Sequence, residues 1–433
     1  MSTLAQPGTA PATWAGPLGW DRVLPASGAD GRLRDIATHQ QTHGPLPYDL
    51  TARELLFEIA ESGLTGRGGA GFPVHRKLSA VAAGRNPVVV ANGAEGEPAS
   101  GKDRLLLSLA PHLVLDGLQL AARAVGARDA FIYVHEGPLV PMMRGLVDTR
   151  APAGLDAISV AVVEAPARFI SGQESAVVAR LSGGAAKPRH TPPPVFQKGV
   201  RGRPTLVHNV ETLAHLALIA RHGAAWFRAL GTPDEPGTML LTVSGAVRNP
   251  GVVEVPLGTR LIDALALAGG VSDPVRALLV GGYHGSWIGA EGAPDLPLSV
   301  AGLQAVQSRP GAGVLVALPA AACGVVETSR AATYLAGEVA GQCGPCLNGL
   351  PMLAAELRSL AAGRSTGGGP PRIAQLMSVV QGRGSCHHPD GTTRFVRSAM
   401  QVFAAEVRQH LDGRCTATDR RAILPVPSER TPR

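Results

Sequence analysis

The chain has 433 residues, 45% hydrophobic and 17% charged, a balance that excludes wholesale disorder. At roughly 150 residues per domain it predicts two to four packed domains. A net charge of +7 suits an anionic partner, but the basic residues form no cluster interleaved with aromatics, which make up only 4%, so no nucleic-acid surface is expected.

Residues 1 to about 45 are Gly/Pro-punctuated, lack sustained periodicity and are expected to form an extended arm. The first thirty lack a basic start followed by an apolar run, so a cytoplasmic protein is expected. From 46 to 235 helical and apolar segments alternate: a helix over 50–61, a glycine loop, a strand over 88–91, a helix over 111–125 and a strand over 130–134. That rhythm belongs to an α/β layer with parallel strands. Between 183 and 204, Pro188, Pro192, Pro193, Pro194 and Pro204 forbid long regular elements. A helix over 210–222 follows, with Asn209 placed to cap its first amides.

A change of composition near 236 opens a smaller domain, 236–325. A strand over 238–245, a turn at Asn249-Pro250-Gly251, a strand over 252–255 and a helix over 260–268 make a β-grasp pattern. The apolar run 314–326 is broken by Pro319 and is shorter than the roughly 18 residues of a membrane helix, so no membrane span is expected. From 326 to 412 helices are predicted over 328–339, 350–361, 371–381 and 393–411, and 413–433 reads as a polar tail.

Three groups of residues can carry chemistry. The loop Gly66-Arg67-Gly68-Gly69-Ala70-Gly71-Phe72-Pro73 lets backbone approach a flat ring or a phosphate, although a tight turn would use the same glycines. Lys77 follows closely enough to place an ammonium beside such a ligand. The turn Asn92-Gly93-Ala94-Glu95-Gly96-Glu97-Pro98 follows an apolar strand, so its polar atoms emerge at a carboxyl end, where open α/β sheets bind ligands; a solvated acidic loop is the plainer alternative. Cys343-Gly344-Pro345-Cys346, joined by Cys386 forty residues later, points to an iron–sulfur cluster. A zinc site completed by His387 or His388, or inert thiols, would use the same residues. Five cysteines in a cytoplasmic chain point away from a disulfide framework. Cys323 lies in an apolar run and reads as a buried small hydrophobe; Cys415 reads as a free thiol in the tail.

In this order the segments resemble the NADH-binding flavoprotein subunit of respiratory complex I and the related flavin subunits of NAD-linked hydrogenases and formate dehydrogenases. The resemblance runs from about 46 to 412. Its landmarks are Ser62 to Pro73, Glu95-Gly96-Glu97-Pro98 with Lys102-Asp103-Arg104, Asn209-Val210-Glu211-Thr212-Leu213, and Gly341 to Cys346. It implies a Rossmann-like flavin domain, a ubiquitin-like β-grasp domain and a helical bundle with a 4Fe–4S cluster. It further implies flavin mononucleotide (FMN) held by Gly66, Arg67, Gly68, Lys77, Asn92, Glu95, Gly172, Gln173, Glu174, Asn209 and Thr212, with Phe72 as the one aromatic remaining where the family stacks the NADH adenine. Asn209 and Thr212 would hold the phosphate at a helix start. Glu97 would lie nearest the nicotinamide of NADH, and Cys343, Cys346 and Cys386 would ligate the iron. Hydride would pass from NADH to the flavin, and single electrons through the cluster to a ferredoxin-like or complex I-like partner protein.

The departures from the family pattern are grouped. Ala340 stands where the first of four cluster cysteines is usual, so another ligand or water completes the cluster, the cluster is an incomplete variant that lacks an iron, or no cluster forms. Ala94, Gln173 and His208 replace Asp, Glu and Asn around the flavin. Ala80, Thr191 and Pro194 occupy positions where the family stacks adenine on aromatics and contacts phosphate with lysine. Two other readings use the same residues: a flavin and iron–sulfur protein with a donor other than NADH, and a non-catalytic scaffold of the same fold.

Overall fold

The computed structural model describes residues 22–24, 34–190, 192–364, 368–415 and 417–427. Within the stretch expected to be an extended arm, Asp35 caps a helix, α1 (Ile36–His43), by accepting from the Thr38 amide. The backbone N–H groups of Arg22, Val23 and Leu24 converge on Glu254 Oε2 at 3.0, 2.9 and 3.1 Å. The Arg22 guanidinium lies 3.7 Å from the centre of a Trp226 ring. An arm without periodicity is thus anchored by tertiary hydrogen bonds that no local pattern announces.

The first layer follows in chain order as α2 (Ala52–Ser62), α3 (Val74–Ala82), β1 (Val88–Gly93), α4 (Lys102–Leu109), α5 (Pro111–Val125), β2 (Asp129–His135), α6 (Leu139–Arg150), β3 (Val160–Ala165), α7 (Glu174–Leu181), β4 (Thr205–Asn209) and α8 (Val210–Arg228). Thr51 and Glu54 form a reciprocal capping box on α2, and left-handed Gly63 ends it. The strands make a parallel sheet of order β3-β2-β1-β4, with Val90 beside both Phe131 and Val207. β1 is central and covered on both faces, which is why it reads as an unbroken apolar run. α5 and α8 cross at bare backbone: a Cβ on Gly117 would lie 1.9 Å from the Leu213 carbonyl oxygen. α8 extends past the expected end at 222, with a break at Gly223 (φ +83°).

A buried ion hub ties this layer together. Asp116 bonds Arg150 at 2.7 Å, Arg221 at 2.5 Å and His39 of α1 at 2.8 Å. Arg150, with no exposed surface, also pairs with Asp156 at 2.8 Å.

The second sheet is built from β5 (Thr238–Gly245), β6 (Gly251–Pro256), β7 (Val275–Val280), β8 (Ser286–Gly289) and β9 (Val314–Pro319), with α9 (Leu261–Leu267) and α10 (Val300–Gln304) between strands. Its order is β6-β5-β9-β7-β8. The apolar run noted at 314 is the central strand β9, buried throughout. Helices α11 (Gly324–Gly337), α12 (Leu350–Ala361), α13 (Gly369–Val380), α14 (His388–Val402) and α15 (Ala404–Leu411) form the last layer. The single helix expected over 393–411 is two, because Phe403 turns inward at the junction and packs where a Cβ on Gly324 would be 2.3 Å from its ring.

The described residues 417–427 of the tail form a strap. Thr418 and Asp419 donate backbone N–H to the Ala321 carbonyl, Ile423 and Leu424 donate to Glu327 Oε2, and the Pro425 carbonyl accepts from the Tyr283 hydroxyl at 2.7 Å. Among the described residues no single helix is long and apolar enough to cross a bilayer.

Candidate functional site

Four segments distant in sequence meet at the carboxyl ends of β1 and β4. The Arg67 amide donates to Thr212 Oγ1 at 2.9 Å, and a Cβ on Gly68 would sit 3.2 Å from Asn209 Cβ. Asn92 Nδ2 donates to the Gly172 carbonyl at 2.8 Å, while Lys77 Nζ reaches Glu174 at 2.5 Å and the Val207 carbonyl at 2.9 Å. Gly66 N–H bonds the Phe72 carbonyl across the loop at 3.0 Å. Gly71 has φ +63° and open space where a side chain would stand, and Phe72 is 45% exposed beside it. Gly172 needs no side chain either: a Cβ there would lie 2.3 Å from the Ala94 carbonyl oxygen.

Several expected contact residues have structural work of their own. The Arg67 guanidinium is buried and bonds Thr65 Oγ1 and the Thr238 and Pro236 carbonyls, bolting the glycine loop to β5; only its backbone faces the loop's partners. Glu95 accepts from Ser100 Oγ and from the Asp103 and Arg104 amides, so its carboxylate caps the start of α4. Gln173 Oε1 accepts from the Ser175 and Ala176 amides, and a neutral amide here does the capping a carboxylate would do.

Beneath the cleft, fully buried Lys102 bonds Asp103 at 2.7 Å and Glu211 at 2.8 Å, with Asn209 Oδ1 at 3.4 Å. Burial alone would raise the Glu211 carboxyl, but Lys102 holds it at about 2. Glu211 also accepts the Leu240 amide at 2.8 Å, joining α8 to β5. Asn209 caps α8 by accepting from Glu211 N–H at 3.0 Å, and its Nδ2 donates to Asp103 at 2.6 Å.

Glu97 is half-buried; its Oε2 accepts from Tyr283 N–H at 2.7 Å and its Oε1 from Ala99 N–H at 3.1 Å. Burial pushes this carboxyl up to about 7, with the two amides opposing and Glu95 assisting. Sequence reasoning misses Tyr283, although the turn Gly281-Gly282-Tyr283-His284-Gly285 carries the glycine signal of a close approach. A Cβ on Gly282 would lie 2.6 Å from Glu97 Oε2.

The residues present fit a flavin phosphate and ring. The loop is bare of side chains where Gly66, Gly68 and Gly71 stand, α8 begins at Asn209, and Lys77 supplies an ammonium. At the end of β4, buried His208 Nε2 has no hydrogen-bond partner among the described residues. Burial, followed by the charge of Lys77, keeps this imidazole neutral, its pKa well below the ordinary range. Of the residues expected to face the adenine, Ala80 and Pro194 are partly exposed, and Thr191 lies outside the described residues.

The cysteines at 343, 346 and 386 meet in the helical layer. Burial opposes ionisation of Cys343, yet hydrogen bonds from Ser385 and Cys346 bring its thiol below the ordinary value. Burial, followed by Cys343, pushes Cys346 up to about 11, and burial also raises Cys386. The three thiols lie near enough to one another for the charge of one to act on the next, and thiolates so grouped are the donor set of an iron–sulfur cluster. Both nitrogens of His388 are engaged, by His284 at 3.1 Å and the Leu335 carbonyl at 2.9 Å. Ala340 is buried, and its backbone amide hydrogen-bonds the Cys346 sulfur, opposing the rise of that thiol.

Phe169 stands between the two sites. A Cβ on Gly96 would be 2.3 Å from its carbonyl oxygen, and its ring centre is 4.8 Å from that of His284 and 5.5 Å from that of His388.

Comparisons with known proteins match three parts of the chain. The Nuo51 FMN-binding domain matches residues 59–218, the SLBB domain 240–282, and the NADH-ubiquinone oxidoreductase-F iron-sulfur binding region 327–410. An F-type NADH-quinone oxidoreductase chain of Rhizobium meliloti is 33% identical over 84% of this chain and 90% of its own length. Its counterpart in Streptomyces coelicolor is 31% identical over 83% of this chain and 84% of its own. The crystal structure of an NAD+-reducing NiFe hydrogenase in the air-oxidized state superposes with a TM-score of 0.79 at 31% identity, covering 84% of this chain. The present chain spans 64% of that hydrogenase chain. This protein therefore belongs to the family of F-type NADH-quinone oxidoreductase subunits, as an NADH dehydrogenase-like electron-transfer module with that family's FMN-binding domain, SLBB domain and iron–sulfur binding region.

Proposed function

We propose that this chain takes electrons from NADH at an FMN site and delivers them singly, through its cysteine site, to a partner protein within a larger assembly. The observation that carries the reading is the meeting of Gly66–Gly71, Asn92, Gly172–Glu174 and Asn209–Thr212 at the carboxyl ends of two parallel strands, with Phe169, His284 and His388 between that cleft and the cysteines.

In this reading the loop amides, Lys77, Asn92, Glu174 and the start of α8 hold the phosphate and ring. Asn209 and Thr212 do so through a helix start whose geometry Lys102 and Asp103 keep rigid. When bound, FMN supplies the exchange between two-electron and one-electron chemistry. Glu97, held by Tyr283, keeps a titratable carboxyl near neutrality at the mouth where the nicotinamide would lie. Cys343, Cys346 and Cys386 would hold iron through three thiolates, leaving one position without a cysteine. The proposed compartment is the cytoplasm, and the partner is an electron-accepting protein.

Anaerobic titration with NADH tests this, with flavin, iron and sulfide quantified. Bleaching of the flavin absorption by NADH is the expected result. A second reading, a donor other than NADH, is favoured by Ala80 and Pro194, which offer no ring for adenine to stack on. Flavin that dithionite reduces and excess NADH does not would establish that reading and overturn the first.

A further inference from the structure

Cys323, His410 and Cys415 lie outside both sites and come from three places: the turn entering α11, the last turn of α15 and the start of the strap. By sequence pattern Cys323 is a small hydrophobe and Cys415 a lone thiol, yet the fold brings them together. Their ligand atoms all lie within 4.8 Å of one another, and among the described residues no other three His, Cys, Asp or Glu groups do. Cys323 Sγ is 3.2 Å from His410 Nε2. Cys323 and His410 are buried while Cys415 is exposed, so the set has a preformed floor and a solvent-side entry.

The His410 ring also lies against the backbone at Leu360 and Ala361, whose carbonyls favour a proton on it; such backbone support orients a ligating imidazole. Glu406 lies against the Cys323 thiol, and its charge is balanced by Arg276 at 2.9 Å while its other oxygen accepts from Gly324 N–H at 2.8 Å. Two thiolates would then balance one divalent cation, with a neutral imidazole as third ligand and one position open to water or Glu406. Two sulfurs and one imidazole nitrogen suit Zn2+ and not the oxygen-seeking Mg2+ or Ca2+.

We propose that Cys323, His410 and Cys415 bind a zinc ion that clasps the C-terminal strap onto the junction of the β-grasp sheet and the helical layer. Binding replaces two thiol protons, which pass to solvent, and moves no electrons. The clasp acts where the strap leaves α15. Beyond it the strap bonds Ala321 and Glu327 and ends on Tyr283, the residue whose amide holds Glu97. A metal held by residues other than Cys343, Cys346 and Cys386 would thereby steady one wall of the cleft.

The full chain, purified under reducing conditions, loaded with Zn2+ and dialysed against a weak chelator, is compared with Cys415→Ser, which alters an exposed side chain and leaves the core intact. About one zinc per chain is expected to be retained by the parent and lost in Cys415→Ser, with iron and flavin contents equal in the two. Cleavage of the strap by protease should be faster in the variant. Co2+ in place of zinc should show thiolate-to-cobalt charge transfer in the parent only. Equal zinc in parent and variant, zinc lost instead in Cys343→Ser, or a Cys323–Cys415 disulfide in the reduced parent would each overturn the proposal. His410→Gln serves as a second variant and should lose zinc as Cys415→Ser does.

Discussion

The Tyr283 amide donates to the Glu97 carboxylate across 2.7 Å, so a glycine turn of the β-grasp domain positions the acidic residue of the flavin layer. This contact joins two parts of the chain 186 residues apart.

For Glu97→Gln the pH dependence of stability is the sharp readout. The folded carboxyl, raised from 4.5 to about 7, favours its protonated form, so its contribution is fullest below about 4.5 and is lost as pH rises through about 7. The stability difference between parent and Glu97→Gln should therefore fall across that window, by at most about 3 kcal/mol. Denaturant titrations at pH 4.5, 6 and 8 check this, and a difference independent of pH would contradict it.

Gly172→Ala should abolish flavin retention while leaving a folded protein. The added Cβ would meet the Ala94 carbonyl oxygen at 2.3 Å, and backbone there cannot retreat without moving the turn from Asn92 to Glu97. Flavin per chain after gel filtration, with circular dichroism as the control for folding, decides the matter.

Asp116→Ala should cost about 3–5 kcal/mol, because Arg150 and Arg221 lose a buried counter-charge and His39 loses a hydrogen-bond partner. Burial opposes ionisation of Asp116, but these partners hold its carboxyl well below the usual range. Its stabilisation is thus present above pH 3.8 and lost as pH falls toward the folded value. The parent's extra stability over the variant should shrink on acidification, as thermal unfolding between pH 3 and 7 would show.

Ala340→Cys should raise iron and sulfide per chain. The substitution restores a thiol three residues before Cys343, at a buried position whose amide already bonds the Cys346 sulfur. A fourth thiolate adds negative charge and should lower the reduction potential of the centre. Metal analysis with anaerobic redox titration measures both effects, and unchanged iron would show that the fourth position is not limiting.

Much of this was legible locally. The glycine loop, the apolar strand at Val88, the Asn209 cap and the Cys343–Cys346 spacing are short-range patterns, because turns, alternation and capping depend on neighbouring residues. Their order along the chain carried the family resemblance. The roles of Glu95 as a cap and of the Arg67 side chain as a bolt to β5 were not legible, since each depends on which helix start or carbonyl the fold places nearby.

The sequence by itself determined the succession of a parallel α/β layer, a β-grasp sheet and helices, and the residue types available for flavin and iron. Only the tertiary structure decided that Glu97 answers to Tyr283, that Asp116 collects three partners, that the polar tail is a strap, and that Cys323 and Cys415 share a neighbour in His410. These are contacts between residues far apart in the chain, and they exist because closing the two sheets and the helical layer around their cores forces side chains without any local signal into the same few ångströms.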